Sequence, residues 1–173
     1  MNKPNARKGY VLWLTGLPAS GKSTLAQEVY DILEKKCYAV EHLDGDKVRE
    51  LFPNTGFDRG SREEHIRRIG FLASKLEKHG VVVVASFISP YQGSRDFVRS
   101  LCKNFFEIYL STPLEVCKTR DPKGLYRLAL EGKITNFTGV QEPYEPPVNP
   151  ELILDTSKLS VSEACNKIIN LLS

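Results

Sequence analysis

The sequence predicts an α/β protein: a mainly parallel five-stranded sheet with helices on both faces, three layers in all, and a long irregular segment late in the chain. Two observations carry this expectation. Short apolar runs alternate with longer segments of helical period along the chain, and one run, Val81-Val82-Val83-Val84, is β-branched at every position, as in a strand covered on both faces. The 173 residues are read as one domain, 1–173. A domain of this size buries roughly 70% of the surface that its unfolded chain exposes, so it needs no disulfide or structural metal.

Tyr10–Leu14 reads as the first strand and Lys22–Lys36 as the first helix, with Leu25, Ala26, Val29, Ile32 and Leu33 on one face. Tyr38–Leu43, Val81–Phe87, Phe105–Leu110 and Leu152–Leu154 read as further strands, the valine run lying near the sheet centre. Ser61–His79, Tyr91–Cys102, Pro113–Arg120 and Val161–Leu172 read as helices. Ser61 and Glu64 have the spacing of a reciprocal cap, which predicts a helix start at Ser61. Ile66, Ile69, Leu72, Ala73 and Leu76 then form an apolar stripe, and Arg62 and His65 extend it toward the sheet edge. Gly132–Glu151 holds Pro143, Pro146, Pro147 and Pro150 and has no period; a loop of that length is a lid, a binding segment or disordered.

Composition excludes several classes. Lys and Arg number 24 against 21 Asp and Glu, with both signs interspersed, so neither nucleic acid nor an acidic membrane is an expected partner. Apolar runs such as Val81–Ala85 fall far short of the roughly 20 residues that span a bilayer. Lys3, Arg7 and Lys8 precede too short an apolar stretch for a signal peptide, which leaves a cytoplasmic location as the expectation. Cys37, Cys102, Cys117 and Cys165 form no CxxC and have no histidine at ligand spacing, which argues against a zinc site or disulfide scaffold.

The strongest signal is Gly16-Leu17-Pro18-Ala19-Ser20-Gly21-Lys22-Ser23, with Thr24 next to it. It fits G-x-x-x-x-G-K-[ST] and lies between a predicted strand and a predicted helix, the context of the phosphate-binding P-loop. Glycines allow a tight turn, so that successive N–H groups and the positive end of the helix dipole face one centre. Lys22 would reach the β- and γ-phosphates, and the Ser23 hydroxyl would ligate Mg²⁺. No Asn-Lys-x-Asp string of the guanine-reading kind is present, so ATP is the expected nucleotide, with Mg²⁺ held by the phosphates and one or two protein groups. The fold expectation becomes a P-loop NTPase-type α/β/α architecture.

Asp44-Gly45-Asp46 follows the second strand and therefore falls at the carboxyl edge of the sheet, beside the phosphate loop. Phosphoryl transfer to an alcohol needs a carboxylate to orient the hydroxyl and accept its proton, and Asp46 is the first choice; Asp44 can hold Mg²⁺ through water. The plain alternative is that one of the two caps a helix beginning near Lys47. Arg49 and Arg62 sit near that edge, where guanidinium groups can hold an anionic acceptor. Phe57 and Phe137 are aromatic residues in polar stretches and can hold a base between two rings.

Taken together these residues resemble the adenylylsulfate kinase (APS kinase) family. The strings that carry the resemblance run nearly end to end: Leu43-Asp44-Gly45-Asp46-Lys47-Val48-Arg49, Arg62-Glu63-Glu64-His65, Phe87-Ile88-Ser89-Pro90, Asp121-Pro122-Lys123-Gly124-Leu125-Tyr126 and Phe137-Thr138-Gly139. The resemblance implies transfer of the γ-phosphate of ATP to the 3′-hydroxyl of adenosine 5′-phosphosulfate (APS), giving PAPS and ADP in sulfate activation. It implies that Phe57 and Phe137 sandwich adenine, and that Arg49 and Arg62 grip the phosphosulfate. It also implies that Asp44, His65, Ile88, Ser89 and Lys123 line the acceptor site, Lys123 on a lid from about 120 to 139. Ser89 matches a serine that can carry phosphate in this family and stands with Lys22 and Asp46 among the candidate catalytic residues, although direct transfer needs no covalent serine. A homodimer is implied as well, as is a stand-alone kinase without a sulfurylase domain.

Two departures stand out. His65 occupies a position where the family commonly has Asn, and Pro18-Ala19-Ser20 replaces the commoner Ser-Gly-Ala. The competing functional readings are another small-metabolite kinase of the same fold, acting on gluconate, shikimate or a nucleoside, and a non-catalytic ATP-binding module.

Overall fold

The computed structural model describes residues 8–52 and 56–172. Its elements run β1 (Tyr10–Gly16), α1 (Lys22–Lys35), β2 (Val40–Asp44), α2 (Gly45–Leu51), α3 (Arg59–Lys78), β3 (Val82–Ser86), α4 (Gln92–Leu101), β4 (Phe105–Leu110), α5 (Leu114–Arg120), α6 (Leu125–Leu130), β5 (Leu152–Leu154) and α7 (Val161–Ile169), followed by a 3₁₀ turn. All strand pairs are parallel, in the order β2-β3-β1-β4-β5. β1 holds the centre and the valine strand β3 lies beside it.

The strand period of two sorts β1 between two cores. Leu12 and Leu14 pack with α1 and α7, while Val11 and Trp13 pack with residues of α3 and α4. Every residue of β3 is buried, as its sequence requires of a strand covered on both sides. Parallel pairing brings the ends of the strands, Gly16, Asp44, Ser86, Leu110 and Leu154, to one edge. The functional residues of the following loops therefore meet there.

Three local expectations need correction. α3 starts at Arg59 and not at Ser61, and its cap is Asp58: the charged carboxylate accepts from the Ser61 N–H at 3.0 Å and from the Ser61 hydroxyl at 2.5 Å. A carboxylate outcompetes a hydroxyl for these donors, and Glu64 instead accepts from Arg68. Leu72 is 42% exposed and lies outside the stripe; the buried face runs through Arg62, His65, Ile66, Ile69, Ala73 and Glu77. β1 also continues two residues past Leu14, because its ladder to β4 extends to Gly16 opposite Leu110. The short helix α6, inside the segment expected to be a lid, carries too few residues for periodicity to reveal it.

Candidate active site

The loop from Gly16 to Ser20 joins β1 to α1. A Cβ on Gly16 would lie 2.7 Å from the Leu110 carbonyl oxygen, so no larger residue fits there. Gly21 has φ 95°, a left-handed conformation that glycine adopts without steric cost, and it caps α1 with no side chain. The first turn of α1 has no acidic residue. α2, α3 and α7, by contrast, are each capped by a side-chain oxygen, from Asp44, Asp58 and Ser160. α4, α5 and α6 also lack an N-cap side-chain bond, so what sets α1 apart is its glycine turn with the buried Lys22, a cradle that fits a polyphosphate.

Lys22 is buried and bridges the loop, donating to the carbonyls of Gly16 at 3.0 Å and Leu17 at 2.7 Å and to Ser20 Oγ at 3.3 Å. Burial pulls its ammonium down to about 8, partly opposed by Cys117, Asp46 and Asp44. The Ser20 carbonyl accepts from Thr156 at 2.9 Å, which anchors the loop to the end of β5. Ser23 and Thr24 are exposed on the first turn.

A cavity of about 330 Å³ opens beside this loop. Its walls include Pro18, Ala19, Lys22 and Ser23 from the donor side, and Asp44, Asp46, Arg49, Phe57, Arg62, His65, Ile88, Ser89, Lys123 and Phe137 from the acceptor side. All the acceptor residues expected from the sequence share this one space. Gly16, Leu17, Ser20, Gly21 and Thr24 are not on its wall.

Asp44 takes the capping role weighed for it. Its Oδ1 caps α2, accepting from the N–H groups of Asp46 at 3.1 Å and Lys47 at 3.4 Å, and its Oδ2 accepts from Ser86 at 3.0 Å. The hydroxyls of Ser23 and Ser86 and these amides hold its carboxyl below the usual range despite burial, so it is ionised beside Ser23. This pair fits Mg²⁺, which takes one or two protein oxygens and completes its shell with phosphates and water. Asp46 lies at the exposed rim of the cavity and is paired with Lys123, just before α6.

Arg49 lies over the Phe57 ring, 4.5 Å from its centroid. Arg62 is buried and spans two segments. Its Nε donates to the Phe57 carbonyl at 2.7 Å, and its other nitrogens donate to Thr138 Oγ1 at 2.6 Å and to the Asn136 carbonyl. Arg62 therefore ties the Phe57 segment to the Phe137 segment. His65 is 4% exposed; its ring meets Phe52 and Phe87 edge-on, and among the described residues its Nε2 has no hydrogen-bond partner. Burial, then the charges of Arg49 and Arg68, hold the imidazole neutral down to about 4.

Ser89 is 2% exposed and its hydroxyl is engaged inside the protein. It accepts from Trp13 Nε1 at 3.1 Å and donates to Thr15 Oγ1 at 3.0 Å, and Thr15 in turn meets the Tyr144 hydroxyl at 2.9 Å. Its backbone has φ 38°, and Arg95 donates to its carbonyl at 2.6 Å while pairing with buried Glu107 at 2.8 Å. Sequence reasoning missed this supporting layer of Trp13, Thr15, Arg95, Glu107 and Tyr144. The one available signal was Glu107 as a lone charge inside an apolar strand, since a buried carboxylate demands a cation.

Comparison with known proteins gives the family. The family model described as adenylylsulphate kinase matches residues 8–155. The adenylyl-sulfate kinase of Halothermothrix orenii is 47% identical over 96% of this chain and 90% of its own length. The chain belongs to the adenylylsulfate kinase family. A probable adenylyl-sulfate kinase of Aeropyrum pernix is 46% identical over 95% of this chain and 92% of its own. The structure of the Mycobacterium tuberculosis APS kinase in complex with AMPPNP and APS superposes with a TM-score of 0.92 at 39% identity, covering 96% of this chain and 98% of that one. A five-stranded parallel sheet flanked by helices is thus the frame of a kinase of this family.

Proposed function

We propose that this chain transfers the γ-phosphate of ATP to the 3′-hydroxyl of APS, producing PAPS and ADP. One observation carries the reading: the uncapped cradle of α1 and the carboxylate of Asp46 open onto the same cavity as the two phenylalanines and the arginines. A polyphosphate and a nucleotide-like anion can face each other across it.

In this mechanism Lys22 and the loop N–H groups stabilise the negative charge of the transferring group. Asp46 orients the acceptor hydroxyl and takes its proton as the oxygen attacks phosphorus and the bond to the ADP oxygen breaks. Lys123 is paired with Asp46 and belongs to a lid, 120–139, that excludes water. Phe57 and Phe137 hold the adenine, and Arg49 and Arg62 face the phosphosulfate. Asp44, His65 and the Ile88 backbone complete the acceptor wall. Mg²⁺, held by Ser23 and through water by Asp44, would supply charge neutralisation on the phosphates. Ser89 acts by position, since its hydroxyl is committed to Trp13 and Thr15. We also place the enzyme in the cytoplasm and infer, from the resemblance of its sequence alone, a homodimer.

The test is an acceptor survey with ATP and Mg²⁺, following ADP release and chromatography of the product. PAPS formation from APS, without turnover of gluconate, shikimate or nucleosides, is the expected result. Turnover of one of those alcohols and none of APS would assign the chain to another acceptor; nucleotide binding with no transfer would leave a non-catalytic module.

A further inference from the structure

Within the phosphate loop, the Ser20 N–H donates to the Leu17 carbonyl at 3.2 Å, closing a four-residue turn with Pro18 and Ala19 at its centre. Pro18 has its φ fixed by its ring, and Ala19 has φ 60°. Proline second and a positive φ third is the pattern of a type II turn, in which the third position normally calls for glycine. With alanine there, local sterics favour flipping the central peptide to the type I form. Something outside the turn must hold it.

Tyr126, from the lid helix α6, is 1% exposed and its hydroxyl donates to the Pro18 carbonyl at 3.1 Å. That carbonyl belongs to the very peptide that distinguishes the two turn types. Because a trans peptide points its C=O and N–H in opposite directions, fixing the Pro18 carbonyl toward the lid fixes the Ala19 N–H away from it, on the side of the loop's own centre. The same ring also touches the acceptor side: the rings of Tyr126 and Phe137 meet edge-on, 5.0 Å between centroids.

We propose that Tyr126 is a positioning residue for phosphate binding: its hydroxyl selects the turn form that presents the Ala19 N–H to the nucleotide, in compensation for alanine at a position that favours glycine. The inference rests on the loop's being the nucleotide site, but not on the identity of the acceptor. Tyr126→Phe keeps the ring and its contact with Phe137 while deleting the hydroxyl. Glycine at position 19 makes the type II turn without steric cost and so removes the need for that hydroxyl.

The experiment is calorimetric titration of AMPPNP with Mg²⁺ into the native chain, Tyr126→Phe, Ala19→Gly and the double variant, with thermal melting of each. Tyr126→Phe is expected to weaken AMPPNP binding about fivefold, the loss of one hydrogen bond. In the Ala19→Gly background the same substitution is expected to cost less than twofold. A fivefold loss in both backgrounds, no loss in either, or a loss that merely tracks a fall in folded protein would overturn the assignment. Loss of AMPPNP binding by the native chain itself would instead remove the nucleotide site on which it rests. Normal AMPPNP binding without APS turnover would overturn the proposed reaction and leave this inference standing.

Discussion

The donor and acceptor halves of the cleft are built on different principles. The donor half is nine consecutive residues, Gly16 to Thr24, folded against the sheet centre; its chemistry is backbone N–H groups and one buried lysine. The acceptor half draws side chains from segments far apart in sequence: Asp46 and Arg49 on α2, Phe57 before α3, Ile88 after β3, and Lys123 and Phe137 on either side of α6. Several of these are exposed, Phe57 by 59%. A site made of backbone is fixed when the fold forms. One made of long side chains on separate segments needs cross-ties, and Arg62 and the Asp46–Lys123 pair supply them.

The sharpest way to break this contrast is at Lys22. Lys22→Met is expected to lower kcat about 10³-fold, because the charge on the transferring group loses its preorganised partner. The melting temperature should fall only modestly, because relief of a buried ammonium offsets part of the cost of leaving the Gly16 and Leu17 carbonyls without their donor. Steady-state PAPS formation and thermal melting read both effects, and a fall in stability that accounts for the lost activity would contradict this view of the donor half. Next in size is Asp46→Asn, expected to cost about 10²-fold in kcat with KM for ATP unchanged. Its exposed pair with Lys123 contributes little to folding, so melting should barely move. Unaltered turnover would remove Asp46 from the reaction.

Phe137→Ala should raise KM for APS about tenfold, the order expected for one lost base stack, and leave KM for ATP alone. If both constants rise together, the two halves are not separable. The smallest effect concerns His65 and pH. Its folded-state value near 4 lies below the usual 6.5, so between these values the unfolded chain binds a proton that the folded chain refuses. Stability should therefore decline as pH falls from about 6.5 toward 4. His65→Asn should flatten that limb in denaturant titrations, and an unchanged slope would show that His65 does not titrate this way.

The same contrast explains what the sequence made legible. Gly16 to Ser23 could be read because a backbone cradle leaves a local signature of glycines at fixed offsets. The strand pattern could be read because β3 is buried on both sides and β1 alternates between two cores. Arg62 and His65 were placed on the core face by their helical spacing, and both are buried. What stayed hidden depends on long-range partners. The cap of α3 was instead a local ambiguity, since Asp58 stands three residues from Ser61 and both are capping residues, whereas nothing near Ser89 reveals Trp13 and Thr15 around it. Tyr126 sits 108 residues from the carbonyl it holds.

A single direct displacement across one cavity is the claim on which the two halves converge. The stereochemical course at phosphorus tests it most directly, using ATP made chiral at the γ-position with oxygen isotopes and reading the configuration of the 3′-phosphate in PAPS. Inversion is the expected result, from one in-line transfer between the cradle and the hydroxyl facing Asp46. Retention would mean two displacements through a covalent intermediate, which would place the buried Ser89 hydroxyl in the reaction and contradict the account.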